Sequence, residues 1–306
     1  MTTDALPIVF CVFSFNRARF LDNCVSSIEQ CASEARIMVY DDDSDDPETC
    51  EVLNRIGQRH TVVTPRGVGS SKHGGLYGNM QSALEDNRDQ PLVCFLQDDT
   101  QVVRPLFAVE VERLQALLST RGAAGFVHPC FLRGISRSRT PFRPVPAADG
   151  GAFYREDTGQ SAGVHYSDLF IARPDRLLDN GWRFRASEPE NDAQARALFG
   201  RMAYLQAPFA MWLPSVPAWR GKRKTWALKA AERKRTCGFY PFRIWSPEAS
   251  NEFRQRGGDA PLPIAEDYLQ CDPHTPPRPW SYNPLTGLHL LKQVNNIELM
   301  LRRFLD

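Results

Sequence analysis

The sequence predicts an α/β fold, a mostly parallel sheet flanked by helices, with a C-terminal extension. Three observations predict it. In the first hundred residues, short β-branched and aromatic runs alternate with stretches of helical periodicity. Carboxylates cluster where two of those runs end. From about residue 216 the chain turns basic and then proline-rich, and the alternation stops.

Each element follows from its residues. PIVFCVFSF (7–15) is apolar without alternation, as a strand covered on both faces should be. Asn16 can cap the next helix, where Phe20, Cys24, Ile28 and Cys31 recur at helical spacing. RIMVY (36–40) is a second strand. The helix ETCEVLNRI is opened by Asp46 as N-cap and Pro47 at its first position, and closed by Gly57. HTVVT (60–64) and PLVCFLQ (91–97) are further strands, separated by a glycine-rich loop and the helix GNMQSALED. Later, AAGFVHPCF, VHYSDLFIA and MAYLQAPF read as strands, and RPDRLLDNG and ENDAQARALFGR as helices. The tail holds RGKRKTWALKAAERKR, DPHTPPRPWSYNP and the amphipathic LLKQVNNIELMLRRFL.

Composition narrows the function classes. The 306 residues are 42% hydrophobic, enough for a substantial core, and 37 basic side chains face 36 acidic ones. That balance gives no global case for nucleic-acid binding, and any basic surface must be local. Eight cysteines without a C-x-x-C pair are expected to be reduced core residues of a soluble, cytoplasmic protein. PIVFCVF is too short for a membrane span.

The acids carry the chemistry. In an open α/β sheet, ligands sit beyond the carboxyl ends of the strands. DDDSDD (41–46) and QDDT (97–100) both fall at such ends. Asp46 and Glu48 serve the helix that follows, but capping leaves Asp41, Asp42 and Asp43 without work. A calcium loop is excluded, since Asp46 stands in place of its glycine and Val52 in place of its glutamate. Asp98 and Asp99 suit a hard cation that keeps waters and bridges phosphate oxygens. RGVGSSKHGG has the spacing of neither a dinucleotide fingerprint nor a P-loop. Asp41-x-Asp43 after a strand leaves a haloacid-dehalogenase-like phosphatase as an alternative.

FCVFSFNRARFLDNCVSSI, VYDDDSDDPET, FLQDDT, HYSDLFIARPDRLLDNGWRF and PENDAQARALFGRMAYLQAPFA, in that order, resemble the segments of family-2-like GT-A glycosyltransferases. The resemblance implies a GT-A (Rossmann-like) fold with a nucleotide-binding half (1–125), an acceptor-binding half (126–215) and an extension (216–306). It implies metal-dependent, inverting transfer from a nucleotide-sugar donor, a UDP-sugar favoured, to a glycan, lipid-linked or small-molecule acceptor. Carried over by position, Asp42 would meet the nucleobase and Asp98 the ribose or help the ion, with Phe13, Asn16 and Lys72 near the nucleotide and His73 behind. Asp99 would hold Mn²⁺ or Mg²⁺. Glu190, six residues before Arg196, would be the general base, with Asp192 as substitute. Both acids also suit a helix's first turn without any catalytic role. Gln97 and Pro189 depart from the family pattern, which keeps a GT-A domain that binds without turnover as a further alternative. Arg133, Arg137, Arg139 and Arg143 would face an anionic acceptor or the diphosphate. The basic stretch 220–235, with Trp219 and Trp226, offers peripheral contact with an anionic membrane; no nucleic acid is expected.

Overall fold

The computed structural model describes residues 6–64, 75–119, 124–134, 142–144, 151–156, 163–218, 224–257 and 260–305. In chain order the strands are β1 (Val9–Ser14), β2 (Arg36–Asp41), β3 (Thr61–Val63), β4 (Val93–Gln97), β5 (Thr100–Val102), β6 (Val127–His128), β7 (Phe142–Pro144), β8 (Ala152–Arg155), β9 (Phe170–Ala172), β10 (Ala203–Leu205) and β11 (Ala210–Trp212). The helices are α1 (Ala18–Cys31), α2 (Pro47–Gly57), α3 (Leu76–Asp86), α4 (Ala108–Ser119), α5 (Pro174–Asp179), α6 (Glu188–Leu198), α7 (Trp226–Lys234), α8 (Pro247–Arg254), α9 (Ala265–Tyr268) and α10 (His289–Leu305).

Nine strands form one sheet in the order β3-β2-β1-β4-β9-β6-β10-β8-β7. The run β3-β2-β1-β4 is parallel throughout, and helices supply the crossovers that parallel neighbours need. Beyond it β9 lies antiparallel to both β4 and β6, while β10 is parallel to β6. The sheet is thus continuous across both halves inferred from sequence. Alternation along β1 divides the core. Phe10 and Val12 pack on one face with Leu21, Val39 and Leu96, and Val9, Cys11 and Phe13 on the other with Tyr40, Phe95 and Phe170.

A two-stranded ribbon, β5 with β11, sits apart from the main sheet and was not legible in the sequence. The C-terminal extension joins the same core. Gln101 and the backbone of Phe242 exchange hydrogen bonds of 2.7 and 2.8 Å, Trp245 N donates to Val103 O, and Phe131 stacks on Phe253. Trp280, within the proline-rich stretch, is buried.

Asp46 caps α2 as expected, accepting from Thr49 N at 2.9 Å, with Pro47 at the first position. Asn16 does not cap α1. That position falls to Arg17, which makes no side-chain cap, while Asn16 adopts φ +50° and turns its amide elsewhere. All eight cysteines are unpaired. Among the described residues no helix is long and apolar enough to cross a membrane.

Candidate active site

Parallel register brings the two acid clusters to one edge of the sheet. β1 lies between β2 and β4, with Ser14 opposite Asp41 and Phe13 opposite Gln97. Just past those pairs, Asp42 N donates to Ser14 O at 2.9 Å and Asp98 N to Phe13 O at 3.0 Å. Two strand spacings separate the backbones of β2 and β4, about 10 Å. Carboxylates 56 residues apart in sequence, Asp42 and Asp98, therefore share one strand-end edge.

Most of the DDDSDD segment builds its own loop. Both oxygens of Asp41 accept from Ser44, one from its N–H at 2.7 Å and one from its hydroxyl at 2.6 Å. Asn16 Nδ2 donates to Asp45 at 2.6 Å, and its Oδ1 accepts the N–H groups of Asp45 and Asp46, each at 3.0 Å. Asn16 thus clamps this loop to the end of β1. Asp43 is exposed with φ +60°. Asp42 alone points across the edge, where its Oδ2 accepts from Gly75 N at 2.6 Å. Burial raises the Asp42 carboxyl above its ordinary value, and the Gly75 bond works against that rise. Phe13, expected beside the nucleotide, packs its ring on Tyr40 and Phe95 because residue 13 shares the inward face of Val9 and Cys11. Only its backbone reaches the edge. Lys72 and His73 lie outside the described residues.

At the other acid pair, Arg17 reaches between the carboxylates. One guanidinium nitrogen lies 3.2 Å from Asp98 Oδ1 and 2.7 Å from Asp99 Oδ2. Asp98 Oδ2 accepts from Phe15 N at 3.3 Å, so both Asp98 oxygens are engaged. Burial pushes the Asp98 carboxyl up to about 7 against the opposing pull of Arg17. Asp99 differs. Its Oδ1 is buried without a hydrogen-bond partner among the described residues. Such an orphaned carboxylate oxygen fits a divalent cation that takes its other ligands from phosphate and water. The described residues contain no group of three His, Cys, Asp or Glu side chains that could hold an ion unaided.

A second group begins two residues after Gly75, at Tyr77. The Tyr77 hydroxyl donates to Asp168 at 3.2 and 3.3 Å. The Glu188 carboxyl is half-buried and pushed up to about 7, first by burial and then by Asp168, while Arg133 opposes the rise. Arg133 stacks on Trp212, 4.1 Å from the ring centroid, and on Tyr282 at 4.8 Å. Trp212 pairs with Thr100 beside the acid motif, and Leu213 N donates to Asp99 O at 2.8 Å. Asp168 and Arg133 thus act electrostatically on Glu188, and Arg133 reaches the acid motif through its contact with Trp212.

The two acids expected on α6 are placed differently. Asp192 is buried, and its Oδ1 accepts from the N–H groups of Gly163, His165 and Tyr166 at 2.9 to 3.2 Å. It anchors backbone. Glu190 is exposed; at 100° per residue it lies roughly opposite the face carrying Glu188, Asn191, Asp192 and Ala195. Sequence reasoning missed Arg17 and Glu188. Period-3.6 spacing carried a signal for Glu188, which shares a face with Asp192 and Ala195. Nothing local distinguished Arg17 from Arg19. Arg137 and Arg139 lie outside the described residues.

No family model matches the chain, and no curated protein matches it. Among solved structures it is similar to S. aureus TarS, at 14% identity and TM-score 0.44, over 66% of this chain and 36% of that one. It is also similar to the mannosyltransferase PcManGT from Pyrobaculum calidifontis in complex with GDP-Man and Mn²⁺, at 13% and 0.44, over 76% and 62%. A third likeness is to a mycobacterial protein, at 14% and 0.45, over 88% and 84%. The chain spans less than two thirds of the length of the first two.

Proposed function

We propose that the chain is a glycosyltransferase that moves a sugar from a nucleotide-sugar donor, a UDP-sugar by family resemblance, to an acceptor hydroxyl with inversion. The observation that carries this reading is the convergence of Asp42 and the Asp98–Asp99 pair on one strand-end edge, with an Asp99 oxygen that is buried and has no hydrogen-bond partner among the described residues. Asp42, fixed by Gly75, accepts from the nucleobase. Asn16 holds the loop that presents Asp42, and Asp98 orients Arg17 toward Asp99. A Mn²⁺ or Mg²⁺ held by Asp99 would supply positive charge to the departing diphosphate. Arg17 keeps the acid pair from repelling itself.

On the acceptor side Glu188 takes the hydroxyl proton as the oxygen attacks the anomeric carbon. Its raised carboxyl suits proton transfer near neutral pH, and its side faces Asp168 and Arg133, whereas Glu190 faces outward. The acceptor is a glycan, a lipid-linked molecule or a small molecule. A phosphatase using Asp41 or Asp43 as nucleophile is disfavoured because both Asp41 oxygens already accept from Ser44 and Asp43 is exposed. The test is thermal stabilisation by UDP or GDP with and without Mn²⁺. Stabilisation that needs both, and that Asp99→Asn reduces to the metal-free level, supports the reading; no nucleotide effect under any condition overturns it. Slow donor hydrolysis then separates an enzyme from a binding domain.

A further inference from the structure

The C-terminal helix α10 docks on the protein through polar side chains, although Lys292, Gln293 and Asn296 on it are exposed. Thr225 Oγ1 donates to Asn295 Oδ1 at 2.6 Å, Trp226 N to Glu298 Oε2 at 2.8 Å, and Arg302 Nη2 to Lys224 O at 3.2 Å. Its apolar stripe faces outward. Leu290, Val294, Ile297 and Leu301, spaced four, three and four, are 42 to 74% exposed, with Met300 beside them. On the neighbouring α7, Trp226 is 82% exposed and shares a face with Lys229 and Arg233. An apolar patch of this extent gains nothing from water and marks a contact surface.

Charge selects what covers it. The whole chain carries +1, yet residues 224–235 and 289–302 hold seven Lys and Arg side chains against two acids. Both acids are consumed locally, Glu232 by Lys224 at 2.8 Å and Glu298 by Arg302 at 2.7 Å. Neither helix shows an exposed acid among the described residues, so two copies of this face would repel. We propose that α7 and α10 together bind an anionic lipid bilayer, the apolar stripe entering the headgroup boundary and the basic side chains remaining at the phosphates. This inference goes beyond the transferase reading and does not depend on it.

The experiment is co-sedimentation of the full chain with vesicles of phosphatidylcholine alone or with about a third phosphatidylglycerol, without nucleotide or metal. Binding is expected for the anionic vesicles only, weakened by half-molar salt. Val294→Asp with Ile297→Asp should lower it at least ~tenfold by removing two apolar side chains from the boundary. Lys229→Glu with Arg233→Glu should weaken it comparably, and Trp226→Ala less. These positions are exposed, so circular dichroism and melting should match the parent; should either double variant misfold, Trp226→Ala decides. Equal binding to neutral vesicles, binding unchanged by the substitutions, or a dimer in sedimentation velocity that Val294→Asp with Ile297→Asp converts to monomer would each overturn the proposal, the last by assigning the face to a second copy.

Discussion

Gly75→Ala separates the nucleotide reading from a merely structural one. Gly75 has φ −88° and ψ 9°, so alanine fits its backbone without strain. The side chain does not fit. A Cβ built there lies 2.2 Å from Asp42 Oδ1 and 3.2 Å from its Cγ, where ordinary contact begins near 3.4 Å. The carboxylate must retreat by more than about 1 Å, a misplacement that costs up to ~10²-fold at a working site. The 2.6 Å bond from Gly75 N, worth about 1.5–3 kcal/mol as a bond to a charged group, is lost with it. Nucleotide affinity measured by calorimetry should therefore fall roughly 10- to 100-fold, about 1.4–2.8 kcal/mol. Gly78→Ala is the matched control. It lies inside α3 with nothing within 4 Å of its added Cβ, and should leave affinity unchanged while stabilising the helix by up to ~1 kcal/mol. Equal nucleotide binding by both variants would refute Asp42 as the nucleobase acceptor.

Other residues give equally direct tests. Glu188→Gln should lower turnover ~10²–10⁴-fold while Glu190→Gln stays near the parent, and the parent rate should rise with pH through about 7 as Glu188 loses its proton; rates of the two variants and a pH profile check this. Arg104, fully buried, donates to Pro208 O, Ala207 O and Glu110; Arg104→Met removes these bonds, leaving Glu110 only Phe107 N and the longer Arg254 pair, and should cost about 3–5 kcal/mol in urea unfolding. His128, buried between Tyr204 and Trp212, has its ordinary value of 6.5 lowered to about 4 by burial. The unfolded chain takes up the proton first, so stability is full above pH 6.5 and falls as pH drops toward 4, by about 3 kcal/mol; His128→Gln should flatten that window of the melting profile.

What was readable in advance was local. Asp46 before Pro47 announced a helix start, and the Val, Ile and Phe runs announced buried strands, because capping and burial act over a few neighbouring residues. The helix α4 buries Val111, Leu114 and Leu118 at helical spacing, the same short-range signal. For the base expected on α6, spacing and facing point to different residues. Spacing from Arg196 selects Glu190, but a helix turns 100° per residue, and it is the residue two places earlier that shares a face with Asp192.

By itself the sequence determined the α/β alternation, the placing of both acid clusters after strands, and the apolar spacing of the last helix. These depend on side-chain type at short range. Only the tertiary structure decided that Arg17 bridges Asp98 and Asp99, that Asn16 clamps the aspartate loop, that β9 enters antiparallel beside β4, and that α10 turns its apolar face outward. Each of those depends on which distant segment arrives beside a residue, and no short-range preference specifies the arrival.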